Sequence, residues 1–324
     1  MKKTVLSLTL AASVLALGAC SGGDDKAIIT SKVGDISVAD FNEKAKALTG
    51  SFVMQQMLTE KILADKYDVT DKEVKEAYDM TAAQFGDGFA QALAESGLTE
   101  EGFKDSLRVQ LLQEKAVKDS FDTKKYYEQM KTELNGRHIL VADEATAKEV
   151  IEKIKGGAKF ADVAKEYSID TGSAEKGGEL GWFSVGAMVD EFNDAAYALE
   201  LNTLSEPVQS SFGYHVIEIT EKRDVEGIGS FEEEEENIVE TMFARLKQTG
   251  ADQALAKDIV AKLAKETDIK TSDKDLEASL KVFTTTSEEQ AKAAEEEAKK
   301  AEEAAKKEAD KKDDKAEETD EEAK

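Results

Sequence analysis

The chain has 324 residues, enough for two or three domains and at least one sizeable core. Its 43 Lys+Arg stand against 69 Asp+Glu, a net charge of −26. The last 38 residues hold 16 acids and 9 bases, so −19 remains on the rest of the chain. Acidity spread over the whole chain weighs against nucleic acid as a partner, because phosphate contact needs basic patches. A single cysteine rules out an internal disulfide.

The first residues, MKKTVLSLTLAASVLALGAC, have the organisation of a targeting segment: two lysines, a short apolar run and small residues before Cys20. The apolar run is shorter than the roughly 20 residues that a spanning helix needs. Leu17-Gly18-Ala19-Cys20 resembles a bacterial lipobox. That resemblance implies a signal peptide at 1–19, lipid on Cys20 as the chain's link to the membrane, and a tether at 20–27. An ordinary signal peptide with a chance cysteine is the alternative.

Next, AIITSKVGDIS predicts two short strands around Gly34-Asp35, a hairpin turn signal. Helices follow. Ser37 with Asp40, and Thr70 with Glu73, fit the capping box at a helix start. Apolar residues recur at helical spacing up to about Lys131, as in Phe103, Leu107 and Leu111. At Gly136 the pattern changes. GRHILV is strand-like. Two helix faces follow, Ala147/Val150/Ile151/Ile154 and Phe160/Val163/Ala164/Tyr167, then a glycine-rich loop, a further helix around Phe192 and a closing strand in FGYHVIEIT. Strand, helices, loop, helix, strand predicts a small α+β unit of roughly 90 residues. A second helical region starts at the Ser230/Glu233 capping box. The segment 286–324 has nothing larger than alanine to bury in its Ala/Glu/Lys run, and reads as a disordered extension or a solvated helix supported by i,i+4 pairs such as Glu295–Lys299 and Glu302–Lys306.

Both histidines of the chain, His138 and His215, fall in the two strand-like runs of the α+β unit. By strand parity His215 shares a face with Ile217 and Ile219, and His138 with Leu140. If the strands are neighbours, both rings reach one side of the sheet. Three readings are open on pattern alone: a shared site, two hydrogen-bonded core histidines, or a metal site completed by a carboxylate such as Asp170. No close-spaced ligand motif supports the last.

Residues 134–223 resemble the parvulin-type peptidyl-prolyl isomerases, through HILV (138–141), EYSIDTGSAEKGGELGWFSVGAM (166–188), EFNDAAYAL (191–199) and EPVQSSFGYHVIEI (206–219). With the lipobox and the helical flanks, residues 1 to about 285 resemble the extracytoplasmic foldase lipoproteins of the PrsA type. The resemblance implies an isomerase domain at 134–223 inserted between helical, chaperone-like regions at 28–133 and 224–285 that pack together. It implies catalysis at His138, Asp170, Ser210 and His215, and substrate binding by Leu180, Met188, Phe192 and Phe212. It also implies unfolded secreted proteins with X-Pro bonds as partners, homodimers, and no cofactor or metal. A carboxylate at Asp170, where some parvulins have cysteine, argues against a thiol mechanism. Ser210 stands where threonine is usual. Lys176 is alone among acids, so a preference for phosphorylated substrates is not expected. Two competing functions remain: a holdase in which the isomerase unit is dispensable, and a solute-binding lipoprotein, against which the long helical runs argue.

Overall fold

The computed structural model describes residues 26–294 and 296–301. The signal segment, Cys20 and the residues beyond 301 lie outside the described residues, as do the expected tail pairs that involve Glu295, Glu302 and Lys306.

A short antiparallel pair, β1 (Ala27–Ile29) with β2 (Ile36–Ser37), is the first element among the described residues and lies at the predicted hairpin. It runs directly into α1 (Val38–Ala64), whose start is closed by the reciprocal Ser37/Asp40 box. α2 (Asp71–Phe85) begins with the equivalent Thr70/Glu73 box, and α3 (Phe89–Glu95), α4 (Glu100–Asp119) and α5 (Thr123–Met130) follow. After the sheet-containing unit come α10 (Phe231–Thr249), α11 (Ala251–Glu266) and α12 (Lys274–Phe283), and residues 287–294 and 296–301 are again helical. Among the described residues no helix is long and apolar enough to cross a membrane.

The two helical regions share a core. Ile62, Leu63, Val69, Val74, Leu107 and Leu112 from before the sheet pack with Val260, Ala264, Leu280 and Phe283 from after it. Neither set could bury its apolar face alone, so the burial that stabilises each helix is supplied by the other segment. Lys46 Nζ to Asp273 Oδ2 at 2.5 Å and Ser51 Oγ to Ser279 Oγ at 2.6 Å tie α1 to α12 and its N-cap.

Between them stands a four-stranded antiparallel sheet of order β4-β3-β6-β5. The long central strands β3 (Thr132–Val141) and β6 (Gly213–Asp224) pair from Thr132↔Asp224 to Val141↔Tyr214. β4 (Glu179–Phe183) and β5 (Val208–Ser210) form the edges. The edges correct the sequence reading, which placed the first in a glycine-rich loop and left out the second. β4 carries a glycine in the middle of its five residues and buries only one of them, so it has neither the alternation nor the β-branched content of a strand. One face of the sheet packs Ile139, Val141 and Val216 against α6 (Glu144–Lys155) and α7 (Phe160–Tyr167). The other packs Leu134, Ile217 and Ile219 against Phe192 and Ala196 of α9 (Asp190–Ala198). A four-residue helix, α8 (Thr171–Ala174), precedes β4.

Candidate active site

β3 and β6 are direct neighbours, and His138 and His215 sit diagonally across the ladder: His138 pairs with Ile217, and Leu140 with His215. The period of two puts both rings on the α9 face, where they are buried, 6% and 5% exposed. The rings stack at 5.4 Å between centroids and 19° between planes. Phe192 meets both edge-on, at 5.7 Å from His138 and 5.3 Å from His215.

Every ring nitrogen has a partner. His138 Nδ1 lies 3.2 Å from His215 Nδ1. His138 Nε2 lies 2.8 Å from Asp170 Oδ2 and 3.1 Å from Ser173 Oγ. His215 Nε2 lies 2.8 Å from Ser210 Oγ, which also accepts the Phe212 N–H at 3.1 Å. Asp170 accepts from the Ser173 hydroxyl at 2.5 Å and from the Gly172 N–H at 3.1 Å. The Ser173 hydroxyl, reinforced by His138, holds the Asp170 carboxyl below the usual carboxylate range. Burial, with His138 adding to it, pushes His215 down to about 4. His215 is therefore a neutral ring at pH 7 with one proton. With that proton on Nδ1, a single direction runs through the site: Phe212 N–H to Ser210, Ser210 O–H to His215, His215 N–H to His138, His138 Nε2–H to Asp170.

Local backbone sets this geometry. Gly178 adopts φ +86°, and a Cβ there would lie 2.5 Å from the His138 carbonyl oxygen. The His138 N–H in turn donates to the Gly178 carbonyl at 2.9 Å. Only glycine lets the turn after α8 press this closely on β3 and bring Asp170 and Ser173 to the ring. At the other end Gly213, φ +130°, folds β5 back onto β6, and a Cβ there would fall 2.3 Å from the Val141 carbonyl oxygen. That tight return places Ser210 beside His215.

Of the eight residues expected at the site, His138, Asp170, Ser210 and His215 form the hydrogen-bonded line, and Phe192 backs it. Leu180 and Met188 are half-buried and pack on the same apolar cluster as Phe192. Phe212 lies on the β5–β6 turn, 64% exposed, and joins the line through its backbone and not its ring. Three contributors were not foreseen. Ser173 bridges His138 and Asp170; its signal is its place three residues after an aspartate that caps a helix. Asn193, buried at the start of α9, donates to the Met188 carbonyl at 2.9 Å. Arg245, far along the chain on α10, donates to the same carbonyl at 3.1 Å and to Asp190 Oδ1 at 2.8 Å. Among the described residues no group of three or more His, Cys, Asp or Glu is arranged to hold a metal ion.

A small antiparallel sheet with paired histidines on one face is the frame onto which the comparisons with known proteins fall. The model of the PPIC-type PPIase domain matches residues 123–223, and the catalytic unit is a parvulin-type peptidyl-prolyl cis-trans isomerase. The chain is similar to Foldase protein PrsA 4 of Bacillus cereus, 43% identical over 281 residues that make up 86% of this chain and 98% of that protein. It is similar also to Foldase protein PrsA 2 of Listeria monocytogenes, 38% identical over 90% of this chain and 98% of that protein. The crystal structure of the peptidylprolyl isomerase PrsA from Bacillus cereus superposes with a TM-score of 0.54 at 42% identity, covering 81% of this chain and 100% of that one. The chain belongs to the PrsA foldase family. It is a prolyl isomerase and foldase, with proteins as its substrates.

Proposed function

We propose that the prolyl bond turns against the His138–His215 face, with the proline ring on Leu180, Met188 and Phe192 and Phe212 closing the outer edge. The observation that carries this is the unbroken line from Ser210 to Asp170 lying beside one apolar cluster. The reaction needs no bond cleavage. It must cross a barrier of about 18–20 kcal/mol that comes from amide resonance, and it is accelerated by binding the twisted amide better than either planar form. All four ring nitrogens are already engaged, so the histidines fix the pocket's shape and do not carry protons to the substrate. Asp170, at the more open end of the line, supplies negative charge beside the amide carbonyl, where it opposes the charge-separated resonance form that keeps the bond planar.

The same reading puts an isomerase domain at 134–223, helical regions at 28–133 and 224–285 joined as one body, and a solvated extension from 286. It places the chain at the outer face of the cell membrane, held by lipid on Cys20, with secreted proteins as clients. α1 leaves Phe41 and Leu48 exposed on one stripe, seven residues apart, which supports pairing with a second copy.

The test is the cis/trans exchange rate of a proline-containing peptide with the full chain. Loss of a hydrogen bond to a charged group costs about 1.5–3 kcal/mol, so Asp170→Ala is expected to lower kcat/KM by roughly tenfold or more. Met188→Ala is expected to raise KM. Wild-type rates in both variants would move the site elsewhere.

A further inference from the structure

The loop that carries Met188 into the site is not held by its own helix. Residues 184–189 join β4 to α9, and the N-cap of α9 is Val189, whose side chain makes no hydrogen bond to the free amides of the first turn. The entry into α9 is fixed from elsewhere. Two donors meet at one atom, the Met188 carbonyl oxygen. The Asn193 amide reaches it at 2.9 Å from within the isomerase unit, and Arg245 Nη2 reaches it at 3.1 Å from α10. The same nitrogen of Arg245 donates to Asp190 Oδ1 at 2.8 Å. One guanidinium thus bridges the residue before the N-cap and the first residue of α9.

That guanidinium is anchored outside the isomerase unit. Phe243, two residues earlier, is buried with Val117 and Ala256 in the helical body. Residues two apart on a helix point to different faces, so α10 sets Phe243 into the body and Arg245 onto the loop. Tyr126 of α5 stands beside it: a Cβ at Gly186 would lie 2.8 Å from the Tyr126 hydroxyl and 3.4 Å from Arg245 Nη1. A separate tie, Lys125 Nζ to Asp194 Oδ1 at 2.5 Å, joins α5 to α9 and does not involve the Met188 carbonyl.

We propose that Arg245 is a positioning residue of the proline pocket: by fixing the Met188 carbonyl it sets where the Met188 side chain lies, and it makes the pocket's apolar floor depend on the helical body. The thioether chain of methionine is flexible, so its position is only as well defined as the backbone that bears it. With both donors in place, Met188 is held against the cluster of Phe192 and Leu180. Without Arg245 the loop pivots about Asn193 alone. The line from Ser210 to Asp170 is held by other contacts and stays intact. Loss of Arg245 therefore weakens the grip on the proline ring in ground state and transition state alike, which raises KM and spares kcat. The inference rests on the placement of Met188 beneath the proline ring proposed above.

The experiment is cis/trans exchange of a short X-Pro peptide by the full chain, over peptide concentrations that resolve kcat from KM. Arg245→Ala is expected to raise KM about fivefold with kcat within about twofold of wild type. Asp190 is 70% exposed, so Asp190→Asn leaves the packing alone; it loosens the guanidinium but keeps its bond to the carbonyl, and should raise KM by about twofold. Lys125→Ala breaks the separate tie and should match the wild type. Partial unfolding has the opposite signature, since fewer active molecules lower kcat and leave KM unchanged. That signature, a wild-type KM in Arg245→Ala or Asp190→Asn, or an equal rise in Lys125→Ala would overturn the proposal. If Met188→Ala raises KM while Arg245→Ala does not, this inference alone fails; if Met188→Ala also has a wild-type KM, the pocket reading beneath it fails.

Discussion

Phe192→Ala lowers the stability of the isomerase unit by about 3–5 kcal/mol, the cost of emptying a fully packed aromatic site, and abolishes most prolyl isomerisation with it. The ring is 2% exposed. It stands edge-on to both histidines and to Phe183 at 6.0 Å, so one side chain fills the space between α9 and the α9 face of the sheet. Removing it frees the histidine rings to tilt and the Asp170–His138–His215–Ser210 line to break. Chemical denaturation followed by intrinsic fluorescence, together with the exchange assay, reads both effects. Phe192→Leu separates them: it keeps most of the volume and should recover most of the stability, yet it loses the flat edge contacts. A Phe192→Ala protein with wild-type stability and wild-type exchange would show that the histidine face is neither packed nor used as described.

The second large effect is acid sensitivity. His215 titrates at about 4 in the folded protein against 6.5 when exposed, because burial opposes its charge. Between these values the unfolded chain binds the proton and the folded one does not, so stability falls as pH falls from 6.5 towards 4, by about 3 kcal/mol in all. The direction for Asp170 is the same, since its folded carboxyl is held low, but its contribution is lost only below about 3.8. Glu73 and Glu289, held near 2 by Lys115 and Lys265, likewise act only below about 4.5. The interval from 6.5 to 4.5 therefore lies above the range in which these carboxylates act. Urea unfolding at pH 7.5, 6, 5 and 4.5 is expected to show a falling midpoint for the wild type and a flatter course for His215→Asn, which cannot titrate. Parallel profiles would mean that the ring is already hydrated in the folded state.

How much of this was legible beforehand follows physical lines. Local signals were readable because they act within a few residues. The Ser37, Thr70 and Ser230 capping boxes form as written, and the α6 and α7 faces bury Ala147, Val150, Ile151, Phe160 and Val163 as their spacing predicts. Strand parity put both histidines on one face because the period is fixed by the backbone. Partner choice was not legible. That β3 lies between β4 and β6 depends on pairings between residues 42 to 92 positions apart. The roles of Ser173 and Asn193 were hidden for a related reason: a lone serine or asparagine carries no pattern until the fold gives it something to touch. Arg245 is the extreme case. It reaches Met188 across 57 positions, and nothing in its own neighbourhood distinguishes it from any helical arginine.

The pairing of Thr132 with Asp224, continued by the Val225 N–H to the Lys131 carbonyl at 2.9 Å, brings the two ends of the isomerase unit side by side. To the helical body the whole insertion is then a short bridge once its sheet has closed. A nascent chain appears amino end first, so α1, α2 and α4 emerge with Leu63 and Leu112 facing water and wait for Val260 and Leu280, about 150 residues later. The insert can mature during that wait. Its completion shortens the tether between the halves and lowers the entropy cost of their meeting. The catalyst of other proteins' slow steps is, by this arrangement, also the clasp that times the assembly of its own frame.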